Sequence, residues 1–463
     1  MHHGRRRRIV CATIISLLLG VQGLFMPLTA LADVRKTDLV VSGTVEQRGL
    51  KAASCPSVEC EYAYLVDGNG KVYFSRGADA ETQIASVTKI MTAIIALERG
   101  SLDETIVVSE RAQAVGESSA GLRAGDTLSL SDAIKGLMIP SGNDAALAIA
   151  ETIGKDIAAS GSDRSTISDV DGYRTFIEAM NAKAEELGCT DTVFTNSHGL
   201  DYGEWAGDLH STAEDVAKIA AYAMKIDYFR EVVDMPSADL TVMRNGVKAT
   251  VKVETTDLLL GVYDGACGIK TGFTDRAGSC FAGACERDGL MLYAIILKSP
   301  DDMQRFRDAE ELYDWVYDNT IDLELANSDE KRTIDLDGQT REVEVVAEAS
   351  LSAWLDRTVP VTFADPDASV EVFALDGNVS QSFDFYDVGG GVRVGDVVGC
   401  ASFYQDNELI AEQDLIACED VPAPDLFQAP GIWWEKLVRT FAGEPTSAES
   451  SIINVMPYLI SKN

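Results

Sequence analysis

In the stretch ASVTKIMTAII, Ala85 to Ile95, a hydroxyl at Ser86 and an amine at Lys89 stand three residues apart. On a helix that spacing puts both side chains on one face. An unaided serine hydroxyl is a weak nucleophile and needs a base. A lysine in a partly dry pocket has a reason to lose its proton and can be that base. Ile90, Met91, Ile94 and Ile95 keep helical spacing behind the pair and seat it against a core. The helix N-terminus adds free N–H groups, and the Ser86 N–H can donate to an oxyanion. The same Ser-x-x-Lys spacing recurs at Ser328 to Lys331 in a polar loop, so spacing alone decides nothing.

Two further stretches carry groups suited to the same chemistry. MIPSGNDAALAIA places Ser141, Gly142 and Asn143 in a tight turn before a helix. Asn143 is a good N-cap. In a site, Ser141 would relay a proton toward a leaving amine and Asn143 would hold a substrate amide. CGIKTGFTDRAGSC ends a strand on Lys270, Thr271 and Gly272. Lys270 offers positive charge, Thr271 offers a hydroxyl to a carboxylate, and Gly272 lets a substrate backbone approach. His198 and His210 do not compose a Ser-His-Asp triad, because no G-x-S-x-G elbow is present and Lys89 is the nearer base; both read as structural.

Elements must bring these three stretches together. A hairpin is expected from Glu61, with YAYLV and KVYFS joined at Asp67-Gly68-Asn69-Gly70. Helices are expected at Leu130–Met138, Asn143–Ile153, Tyr173–Leu187, Thr212–Met224 and Asp302–Tyr317. Strands return at Ala266–Thr271, Ser279–Cys285 and Leu290–Lys298. The implied unit is an α/β (α+β) sandwich, a sheet with a helical cluster between its halves. After Asn319, short runs alternate in period two, as in a small all-β domain. Beyond Pro422-Ala423-Pro424, Trp434, Leu437, Val438 and Phe441 would line one face of a short helix, and Ile452 to Ile460 is a second apolar run. Neither is long enough to span a bilayer. The helix would lie on a membrane interface or dock on the protein.

The organisation expected is therefore a signal peptide over 1–32, a linker over 33–58, a catalytic domain over 59–319, a β-rich domain over 320–424 and an amphipathic tail over 425–463. The leader rests on Arg5 to Arg8, the apolar Ile9 to Leu24 and the small-x-small Ala30-Leu31-Ala32. Its removal takes four arginines and no acids, leaving 35 cationic residues against 74 acidic ones. Such a surface repels nucleic acid and discourages attraction to anionic lipid. Of nine cysteines, Cys11 falls in the leader. Cys55/Cys60 and Cys400/Cys418 are near in sequence and suggest pairs. Cys267 and Cys285 lie symmetrically about a turn at Asp275–Ala277 and would face each other. Cys189 and Cys280 are left over, and connectivity stays open. No CxxC occurs, so zinc is not expected.

The three motifs in this order are those of penicillin-binding proteins and class A β-lactamases. With FTNSHGLD and HSTAEDVAKIA as well, the chain from about Glu61 to Trp315 resembles the D-alanyl-D-alanine carboxypeptidases, the low-molecular-mass penicillin-binding proteins of peptidase family S11. The β-rich stretch resembles their second domain more weakly. The resemblance implies a transpeptidase/β-lactamase-like sandwich: an antiparallel sheet flanked by helices. It makes Ser86 the acylated nucleophile and Lys89 its base, with Ser141 and Asn143 completing the catalytic set. Lys270 and Thr271 would bind the terminal carboxylate side. The N–H groups of Ser86 and Phe273 would form the oxyanion hole. Arg305 in DMQRFRDAEELYDW would bind the carboxylate, with Arg307 as the fallback. The reaction implied removes the terminal D-alanine from a peptidoglycan stem peptide, outside the cytoplasm, at the cell wall or the outer membrane face. It needs no metal or cofactor, and β-lactams would acylate Ser86. The stretch Lys155 to Asp171 looks like an inserted loop that could alter access to the cleft. A D,D-endopeptidase, a class A-like β-lactamase and a non-catalytic wall-binding protein are the alternatives.

Overall fold

The computed structural model describes residues 35–159, 163–336 and 338–460; the expected leader lies outside them. A seven-stranded antiparallel sheet forms the centre. Its order is Gly43–Thr44, Leu39–Val40, Val72–Arg76, Tyr62–Asp67, Leu290–Ser299, Gly278–Arg287, Ala266–Thr274. The expected hairpin and return strands are thus neighbours in one sheet. One face packs on a helical core that includes Lys89–Arg99, Leu130–Met138, Asn143–Ala159 and Ala213–Ala223. The other face is covered by Gln304–Asn319, through Phe306, Leu312 and Tyr313. Both faces are apolar and covered, which fixes the register of every strand between them.

Several elements depart from the sequence reading. The linker is not a free arm: Leu39–Val40 extends the central sheet, and buried Asp38 pairs with Arg76 at 2.7 Å. The described residues between 155 and 171 do not form one open loop. The helix Asn143–Ala159 takes the first of them and Asp169–Glu186 the last. Arg164, between, pairs with Asp156 at 2.8 Å. A second sheet joins Thr105–Val107, Thr127–Ser129, Ser237–Arg244 and Val247–Glu254, the last two closed by Asn245-Gly246 with both residues left-handed.

All eight described cysteines are free. Cys267 does not face Cys285. The register runs evenly from Thr274↔Gly278 to Ile269↔Gly283, then shifts so that Cys285 opposes Ala266. That bulge leaves Cys267 against the helical core while Cys285 is buried on the opposite face. Cys55 Sγ donates to Lys51 O rather than turning to Cys60. Cys418 is buried with Ile334 and Val343, whereas Cys400 lies half-buried on the strand Val397–Gln405.

From Thr320 to Ala417 the described elements are strands, apart from one 3-10 turn at Ala374–Asp376. Its main sheet has six strands, ordered Ser380–Phe385, Val397–Gln405, Glu408–Ala417, Thr358–Phe363, Ala347–Ser350, Ser451–Ile452. Phe373 is wedged edge-on against Tyr73 and Trp315, joining this part to the first. The tail forms a helix, Ala429–Ala442, and then folds back: Ile452 pairs with Ala347 and Asn454 is buried. No described helix is long and apolar enough to cross a membrane.

Candidate active site

The turn that carries Ser86 is a short 3-10 helix, Ala85–Thr88, leading into Lys89–Arg99. Ala85 is held at φ 48, a left-handed conformation that costs a non-glycine residue energy and persists where surroundings impose it. Two glycines impose it. A Cβ on Gly199 would stand 1.9 Å from Ala85 O, and one on Gly272 would stand 3.0 Å from Ser86 N. The Ser86 turn is therefore pressed between the SHGLD segment and the strand Ala266–Thr274.

Lys89 is fully buried, and its Nζ lies 2.7 Å from Ser86 Oγ and 2.7 Å from His198 O. Burial, then the charge of Lys270, pushes its pKa well below the usual lysine value. Its Nζ donates to His198 O and to Ser86 Oγ, and in the neutral form the same contact would let it accept the Ser86 proton. That is the arrangement a general base requires.

Asn143 is fixed by the loop before it. Its N–H donates to Ser118 O at 2.8 Å and its Nδ2 to Gly116 O at 3.0 Å. Asn143 Oδ1 is buried and unpartnered, as is Ser141 Oγ, whose residue sits at φ 63. Ser141 makes no hydrogen bond to Ser86 or Lys89, although it lines the same cleft. Buried polar atoms without partners are uncommon, and both residues belong to the cleft wall.

Lys270 is fully buried, and its Nζ donates to Thr271 O at 2.8 Å. Burial and the neighbouring Arg305 lower its pKa to about 7, against a counter-pull from Asp257. Thr271 Oγ1 lies 2.6 Å from Thr256 Oγ1. Arg305 Nη1 donates to Gly272 O at 3.0 Å, which brings the guanidinium beneath the strand end. Arg305 is in the cleft wall; Arg307 instead donates to Gln304 Oε1 and is outside it. The cleft, about 490 Å³, is lined by Ser86, Ser141, Asn143, Thr271–Thr274 and Arg305, while none of the described residues 155–171 reaches it. Phe273 stands at its edge with the side chain more than half exposed.

Sequence reasoning missed Gly199, the His198 carbonyl and Asp257. Asp257 is buried, Leu259 N–H donates to its Oδ1 at 2.9 Å, its Oδ2 is unpartnered, and burial raises its pKa to about 6. The His198 ring packs edge-on to Trp205 at 4.5 Å and takes no part in the cleft; His210 bonds Asp208 O. The second Ser-x-x-Lys is inert in form: Ser328 Oγ accepts from Glu330 N–H, and Lys331 pairs with Glu344 on a strand.

The family model described as D-alanyl-D-alanine carboxypeptidase, peptidase S11, matches residues 50–301. A D-alanyl-D-alanine carboxypeptidase of Streptomyces sp. (strain K15) is 31% identical over 60% of this chain and 94% of its own length. The carboxypeptidase DacF of Bacillus subtilis (strain 168) is 25% identical over 85% of this chain and 93% of its own. Among solved structures, the Streptomyces K15 DD-transpeptidase superposes with a TM-score of 0.51 at 31% identity, covering 56% of this chain and 97% of that one.

Proposed function

We infer the reaction from one premise: the chain belongs to the peptidase S11 family, the D-alanyl-D-alanine carboxypeptidases. It is a serine-type enzyme of the penicillin-binding kind, and the sandwich described above is the fold of that family. We assign the steps to residues as follows. Ser86 Oγ attacks the carbonyl of the penultimate D-alanine of a peptidoglycan stem peptide while its proton passes to Lys89 Nζ. The N–H groups of Ser86 and Phe273 take the oxyanion. Ser141 passes a proton to the departing D-alanine amine. Asn143 Oδ1 holds the substrate amide, and Lys270, Thr271 and Arg305 hold the terminal carboxylate. Gly272 leaves room for the substrate backbone against Ser86. Water then cleaves the ester at Ser86.

The observation that carries this reading is the 2.7 Å contact between Ser86 Oγ and a fully buried Lys89 whose pKa burial pushes well below the usual lysine value. Release of D-alanine from a Nα-acylated peptide ending in D-Ala-D-Ala tests it. Wild type should release D-alanine, while S86A and K89A should not. Release by S86A would refute it.

We propose further that the chain acts outside the cytoplasm and meets a membrane through the helix Ala429–Ala442. Trp433, Trp434 and Phe441 are each more than 60% exposed on it, and Leu426 and Phe427 just before it are over 90% exposed. Patches of exposed aromatics mark interaction sites, and amphipathic helices of this kind lie in a membrane interface. Lys436 bonds Ser352 O, which ties the helix to the β-rich part.

A further inference from the structure

We propose that Thr256 is a positioning residue for the substrate carboxylate: it donates to the Thr271 hydroxyl and so turns the Thr271 proton into the cleft. The inference rests on the carboxypeptidase reading. Both residues line the cleft, and their Oγ1 atoms lie 2.6 Å apart although the residues are 15 apart in sequence. Among the described residues neither hydroxyl has another hydrogen-bond partner. Each hydroxyl carries one proton and two lone pairs. One proton lies between the two oxygens, so the pair has one proton left to offer.

Which oxygen holds that proton depends on the direction of the bond. If Thr271 donates, the free proton sits on Thr256, which is exposed to solvent. If Thr256 donates, it sits on buried Thr271, at the strand end shared with Lys270 and Gly272. A carboxylate in the cleft selects the second state, because a hydrogen bond to an anion is the stronger one. A donor that itself accepts a hydrogen bond is polarised further. The other donors there are already engaged. Arg305 has Asp302 at 3.5 Å and donates to Gly272 O, and Lys270 Nζ donates to Thr271 O. With Thr256 as donor, the Thr271 proton has no rival acceptor among the described residues.

Thr256 is exposed, yet its backbone is pinned on both sides. It follows the strand Val247–Glu254, which belongs to the second sheet, and so reaches the central sheet from outside it. Thr255 N–H donates to Pro236 O at 2.9 Å, and Asp257 N–H donates to Thr255 Oγ1 at 3.1 Å. Leu259 N–H donates to Asp257 Oδ1 at 2.9 Å, and Asp257 and Leu259 are both buried. A β-branched side chain on a fixed backbone has few rotamers to choose from. The hydroxyl is therefore presented to Thr271 before any substrate arrives.

The test measures kcat/KM for cleavage of Nα,Nε-diacetyl-L-lysyl-D-alanyl-D-alanine and of its C-terminal amide. T256V keeps the shape and removes the hydroxyl. It should lose roughly three- to tenfold on the acid, the size of one hydrogen bond, and leave the amide nearly unchanged. T256S keeps the oxygen and should match wild type. T271V removes the group that Thr256 positions, so T256V/T271V should be no slower than T271V; this cycle needs only the acid. A T256V that matches wild type on the acid, that slows both peptides alike, or whose loss adds to that of T271V refutes the inference. Penicillin labelling of Ser86 separates the two levels. With labelling and D-alanine release intact and T256V equal to wild type, this inference alone fails; with neither labelling nor release in wild type, the carboxypeptidase reading fails with it.

Discussion

Gly199→Ala is the sharpest perturbation the structure offers. The added Cβ would lie 1.9 Å from Ala85 O and 2.9 Å from Ser86 N, at a backbone φ of +93. Backbone, not a flexible side chain, must give way. Forcing a non-glycine residue into the left-handed region costs roughly 1–2 kcal/mol, and overpacking adds roughly 1–3 kcal/mol. A loss of about 2–5 kcal/mol lowers the Tm of a unit this size by roughly 5–15 °C. Relief requires the Ser86 turn to retreat. A displacement near 1 Å costs on the order of a hundredfold in rate. Stopped-flow acylation by a fluorescent penicillin, beside a thermal melt, measures both. If G199A acylates and melts like wild type, the close approach of Gly199 to the nucleophile turn is wrong.

Other expectations follow from the same geometry. Lys270, with its pKa lowered to about 7, is charged below that pH and neutral above it. KM for a carboxylate-bearing substrate should therefore rise as pH climbs through 7, and K270R, which stays charged, should flatten that rise. R305A should cost roughly ten- to a hundredfold in kcat/KM, the loss of a charge-assisted bond, whereas R307A should leave kcat/KM unchanged; equal losses would contradict the assignment of Arg305. Replacing Trp433, Trp434 and Phe441 together by serine should abolish co-sedimentation with zwitterionic vesicles, at about 2 kcal/mol per buried aromatic. Loss of wild-type binding on adding salt would argue for a charge-driven contact instead.

Much of this site was readable because chemistry restricts residue types. Ser86, Lys89, Asn143 and Lys270 come from three distant segments, and the structure gathers their segments around one cleft or directly behind it. The strands were legible too, since Ala266–Thr274 and Gly278–Arg287 are apolar runs about a turn, and their register held until the bulge at Cys267. A bulge leaves no periodic signature, so facing cysteines were expected where the sheet puts them on opposite sides. Asn245-Gly246 between alternating runs is a hairpin signal that was present and passed over. The strand Leu39–Val40 was hidden for another reason: two residues are too few to show alternation, and only Asp38 and Arg76 meeting in the core reveal it. Gly199 and the His198 carbonyl act through backbone, which residue type does not report.

The central claim is that Ser86 is the nucleophile and Ser328 is not. Incubating the mature protein with a fluorescent penicillin and locating the adduct by mass spectrometry tests it most directly. The account predicts one adduct, on Ser86, lost in S86A and retained in S328A. No adduct, or label that persists in S86A, would contradict it.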